Sequence, residues 1–83
     1  MDLRDFLKSY EMNLKYFDLE TFEDEIMDIP YQIKMLKRHL KDLNEKDKKM
    51  FFYLNEKLKK IINNTKPKNK LQEKIILEIK SVL

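Results

Sequence analysis

Residues 19–43 read "LETFEDEIMDIPYQIKMLKRHLKDL", and their apolar side chains decide the fold. Leu19, Phe22, Ile26, Ile29, Ile33, Leu36, Leu40 and Leu43 follow one another at steps of 3, 4, 3, 4, 3, 4 and 3. Steps of three and four keep side chains on one side of a helix with 3.6 residues per turn. Pro30 interrupts this stripe, and a proline inside a helix removes a hydrogen bond and crowds the preceding turn. Two readings follow. The stretch is either one helix over 19–43 kinked near Pro30, or two helices with Asp28 capping the second and Pro30 in its first turn. Phase is retained across the proline, which favours one continuous, kinked helix.

Similar stripes lie on both sides. Leu3, Leu7, Tyr10, Leu14 and Phe17, widened by Phe6, predict a helix over 2–17, with Asp2 able to cap it. Phe51, Leu54, Leu58 and Ile61, flanked by Met50 and Ile62, predict a helix over 45–63. Asn44 is placed to cap it, and Glu45 and Asp47 in its first turn suit the positive end of the helix dipole. Asn63 or Asn64 is expected to take the left-handed conformation that ends many helices, and Pro67 prevents continuation. Leu71, Ile75, Ile76, Ile79, Val82 and Leu83 then give the apolar face of a helix over 68–83. The fold class is therefore all-α: one domain over 1–83, a small up-and-down bundle of about four helices.

Composition agrees. The chain has no glycine, no cysteine and two prolines, so tight turns, glycine-built phosphate loops and disulfides are absent from its repertoire. Its apolar content of 42% suits a folded chain. At 83 residues it buries only about 60% of the surface its unfolded form exposes. A stability of about 4–12 kcal/mol is then expected. The acid-bearing amphipathic N-terminus does not read as a signal peptide, and no apolar run approaches a membrane span. A cytoplasmic location is expected.

Chemistry-bearing motifs are scarce. His39 stands without a second His or any Cys at ligand spacing, so it reads as a boundary side chain. Ser9, Ser81, Thr21 and Thr65 have no local nucleophile motif. Glu20, Asp24 and Asp28 share a helical row, yet acids there read more simply as a solvated first turn. Neither a catalytic site, a metal, a cofactor nor a small-molecule substrate is expected.

Surfaces carry more information. Residues 1–30 hold three basic against nine acidic side chains, a net of −6; residues 31–83 hold fifteen against six, a net of +9. Such segregation suits pairing between helices, between copies, or with two different partners. Within "MFFYL" at 50–54, Phe51 and Leu54 belong to the stripe and Met50 to its margin. Phe52 and Tyr53 lie about 100° and 200° around the helix from Phe51, on opposite flanks. More of this chain or a partner must cover them. Leu77 poses the same question on the last helix, and Tyr31 and Met35 add apolar surface beside the second. Aromatic side chains and methionine are enriched where proteins meet proteins.

The resulting expectation is a non-catalytic helical protein-interaction module, a small adaptor, chaperone or inhibitor of a larger machine, that self-associates as a dimer. Its partner-binding candidates are Phe52, Tyr53, Leu77, Tyr31 and Met35. The alternative is a basic nucleic-acid-binding accessory protein using the lysine-rich 57–74 region. There Lys57, Lys60, Lys66, Lys68 and Lys70 would contact phosphates, although the near absence of Arg removes the usual base reader.

Overall fold

The computed structural model describes residues 2–17 and 23–83, with the side chains of 23–27 outside the description. Four helices form: α1, Leu3–Lys15; α2, Glu23–Arg38; α3, Glu45–Asn63; and α4, Lys70–Val82. The protein is an all-α bundle, and no strand occurs among the described residues. Its Cα radius of gyration of 12.5 Å is close to the ~12 Å expected of a packed chain of this length.

α1, α3 and α4 each begin where a side chain satisfies a backbone N–H group that lacks an intrahelical partner. Asp2 accepts from the Arg4 N–H at 3.0 Å, and Asn44 from the Asp47 N–H at 2.8 Å. Before α4, Asn69 accepts from the Gln72 N–H at 2.9 Å, and the Gln72 side-chain oxygen accepts from the Lys68 N–H at 2.8 Å. This reciprocal cap starts α4 at Lys70, two residues later than the spacing of the stripe suggests.

The second helix departs furthest from expectation. It continues through Pro30, as the unbroken phase requires, but it ends at Arg38 and not at Leu43. Leu40–Asp42 form a 3-10 turn instead, with the Leu43 N–H donating to the Leu40 carbonyl. A step of three residues stays on one face in either helix type, so the Leu40–Leu43 spacing could not distinguish them. The tighter turn brings Leu43 into the core and leaves Asn44 extended, ready to cap α3. The described helix is then about 24 Å long and shorter than the ~28 Å of α3, so no surplus stripe calls for cover at this end. The predicted start at Leu19 lies outside the described residues.

Three smaller corrections concern ends and faces. α1 closes at Lys15, where Tyr16 turns; its N–H donates to the Met12 carbonyl and the Phe17 N–H to that of Leu14. Asn64 keeps a right-handed backbone, φ −98° and ψ 0°, so the expected left-handed cap is absent. Side chains replace it: the Asn64 amide donates to the Lys60 carbonyl and the Thr65 hydroxyl to that of Ile61. Leu71 is exposed in the first turn of α4, because Gln72 occupies the inward position there.

The core is aliphatic with two rings. Leu7, Tyr10 and Leu14 from α1 meet Ile29, Ile33 and Leu36 from α2, Phe51, Leu54, Leu58 and Ile62 from α3, and Ile75, Ile76 and Ile79 from α4. The closest backbone approaches join α1 to α2, α1 to α3 and α2 to α4. Arg4 reaches Asp47 while Tyr10 reaches Phe51 and Asn55, so α1 and α3 run in the same direction. Leu3 in the first turn of α1 and His39 just past α2 line one groove, so these two helices run oppositely.

Candidate partner-binding surface

Two buried polar ties hold α1 in place. The Tyr10 hydroxyl donates to the Asn55 side-chain oxygen at 2.8 Å in a fully enclosed position. Burial pushes this phenol well above its ordinary pKa, so it stays a neutral donor. On the other side, Gln32 is buried between Ser9 and Asn13. Its amide nitrogen donates to the Ser9 hydroxyl and its oxygen accepts from the Asn13 amide, both at 3.0 Å. Among the described residues no buried side-chain polar atom lacks a partner.

Beside the Gln32 tie, α1 and α2 border an open groove of about 430 Å³, lined by Leu3, Phe6, Tyr31, Met35 and His39. The rings of Phe6 and Tyr31 meet across it, centroids 6.1 Å apart and planes tilted by 53°, an arrangement aromatic pairs favour. Phe6 also borders a second depression with Asp5, Ser9 and Gln32, so the two run together along the α1–α2 seam. At one end His39 has its Nδ1 atom 3.6 Å from an Asp42 carboxylate oxygen.

The structure thus brings Tyr31 and Met35 together and keeps the other candidates apart. Phe52 and Tyr53 project from two flanks of α3, Phe52 lying against Phe51 with ring centroids 5.8 Å apart. Leu77 lies on α4, where Leu71 is exposed as well. Phe52, Tyr53, Leu77 and Tyr31 are between 51% and 62% exposed, while Met35 is half-buried. Met12 and Tyr16, four residues apart on the outer side of α1, add two more exposed apolar side chains, with the Lys15 ammonium 5.6 Å from the Tyr16 ring. Leu3, Phe6 and His39 are the groove residues that sequence reasoning placed elsewhere, as stripe members or a boundary side chain. Phe6 alone carried a signal, since it widens the first stripe beyond what a single seam uses.

Lys57, Lys60, Lys66, Lys68 and Lys70 are all exposed, across the end of α3, the connection and the start of α4. Among the described residues, Lys57, Lys60, Lys66 and Lys70 have no carboxylate within salt-bridge distance. The row Glu20, Asp24 and Asp28 falls largely outside the described side chains. Among the described residues no group of three acids or histidines could hold a metal ion, and no described helix is long and apolar enough to cross a membrane.

Comparison with protein-family models, characterised proteins and solved structures finds no match to this chain. Its surfaces must therefore be read from their own chemistry.

Proposed function

We propose that this chain is a non-catalytic protein-interaction module, a small cytoplasmic adaptor, chaperone or inhibitor that works by covering part of a larger protein. One observation carries the reading. The core closes around Phe51, Leu54 and Leu58 without help from Phe52 or Tyr53, yet both aromatic side chains are kept in solvent on adjacent positions of the central run. Isolated exposed apolar side chains are ordinary. Two large rings on one helix, with Tyr31 on α2 and Tyr16 just past α1, are of the aromatic type enriched at protein interfaces.

The test compares the wild-type chain with a Phe52→Ser/Tyr53→Ser variant as immobilised bait in extracts of the native cell. Proteins held by the wild type and lost by an equally folded variant support the reading. Identical recovery by both baits refutes it. The exposed lysines around the α3–α4 connection favour a second reading, sequence-independent contact with nucleic acid. It predicts binding to a generic duplex that weakens steeply with added salt.

A further inference from the structure

At its Leu3–His39 end the groove between α1 and α2 has edges of opposite charge, while the exposed Asp28 stands farther back along α2. On α1, Asp2 and Asp5 stand exposed beside Leu3 and Phe6, and Asp5 borders the adjoining depression. On α2, Lys34 and Arg38 follow Tyr31 by three and seven residues, the spacing that keeps them on its side of the helix, and both are exposed. We propose that a second copy of this chain docks in the groove, face to face, about a twofold axis running along it. This rests on the interaction-module reading and names the partner for one of its surfaces.

Symmetry determines how the charges meet. A twofold axis along the groove carries α1 of each copy over α2 of the other and preserves position along the groove. Because α1 and α2 run oppositely, the start of one and the end of the other lie at the same level, where Leu3 and His39 share the groove. Asp2 and Asp5 of one copy then face Lys34 and Arg38 of the other, and the contact occurs twice. An axis across the groove at the level of Asp5 and Arg38 would instead bring α1 onto α1, acid against acid, and α2 onto α2, base against base. Charge placement selects the first arrangement. In it Phe6, Tyr31 and Met35 of the two copies close on one another as an apolar centre inside a charged rim.

Size sets the strength. Two helices about 20 Å long and about 10 Å apart offer on the order of 500–600 Å² per copy. The pair buries just over ~1,000 Å², the lower edge for specific association, so the dimer dissociates on dilution.

Sedimentation equilibrium of the full chain, from about 1 μM to about 1 mM, tests the proposal. The expected result is a mass that rises toward twice the monomer value with concentration and falls back when salt is added. Asp5→Lys or Arg38→Glu alone reverses two contacts per dimer and weakens association about tenfold. Combined in one chain, the two substitutions restore opposite charges and bring the affinity back to within about threefold of wild type. Thermal unfolding of each variant, followed by circular dichroism, separates lost docking from lost folding. A strict monomer over the whole range overturns the proposal, as does a double variant no tighter than the singles. A dimer indifferent to both single changes and to Tyr31→Ser also overturns it, by placing the interface elsewhere. A strict monomer that still captures a different protein through Phe52 and Tyr53 overturns only the second copy and leaves the interaction module standing.

Discussion

Adjacent phenylalanines in one helix provide a sharp test of how this bundle is built. Phe51 is fully buried and Phe52 is 51% exposed. Truncating Phe51 to Ala removes a ring that touches Tyr10 and leaves a cavity in a small core, at a cost of about 3–5 kcal/mol. Phe52 is worth less. Complete burial of such a side chain contributes about 1.5–3 kcal/mol, so its half-covered ring contributes roughly 0.7–1.5 kcal/mol. Ala is also the better helix former by about 0.5 kcal/mol, leaving a net loss of about 0–1 kcal/mol for Phe52→Ala. With about 4–12 kcal/mol available, the first change removes a quarter or more of the stability and the second no more than a quarter. Urea unfolding followed by circular dichroism measures both, and melting temperatures should fall by more than about 12 °C for Phe51→Ala and less than about 8 °C for Phe52→Ala. Equal losses from the two substitutions would show that Phe52 is core, and the case for a partner at that position would collapse.

Tyr10→Phe should cost about 1–3 kcal/mol, because it strands the Asn55 side chain in the core, and Asn55→Leu in the same chain should recover part of the loss. Tyr10 also predicts alkaline sensitivity. Its folded pKa is raised, so its stabilising contribution is intact below the unfolded value near 10 and declines as pH climbs beyond it. Unfolding curves of wild type and Tyr10→Phe should therefore converge above about pH 10. Asn44→Ala and Asn69→Ala should each lower stability by about 1 kcal/mol, read from shifted denaturant midpoints with unchanged slopes. If the lysine surface binds duplex, neutralising Lys57, Lys60, Lys66 and Lys70 to Gln should shrink the log–log salt slope by up to about 4 in fluorescence anisotropy, and an unchanged slope would remove these residues from the interface.

Spacing made most of the core legible. Every buried aliphatic residue of α2, α3 and α4 lies on or beside a stripe that steps of three and four pick out, although Ile62, read as a flank, is buried and Ile61 only partly so; helical angles alone separated Phe52 and Tyr53 from their neighbours. Polarity concealed the rest. Gln32, Asn55 and Gln72 add nothing to an apolar stripe, although each sits four positions from a buried apolar side chain: Leu36, Phe51 and Ile76. That spacing leaves them about 40° from the core direction, where a carboxamide must find partners or carry a penalty. The α1–α2 groove was only half visible. Tyr31 and Met35 stood beside a stripe, but Leu3 and Phe6 looked like ordinary members of one, and which helices border a groove depends on how all four pack.

No described residue has a left-handed backbone, and the connection after α3 is closed by the side chains of Asn64 and Thr65. Chain reversals of this kind ask nothing of the codons that begin with GG. A lineage whose coding sequence drifts toward A and T can keep the bend after α3 with asparagine and threonine, and a glycine arriving at position 64 would bring it no relief of strain.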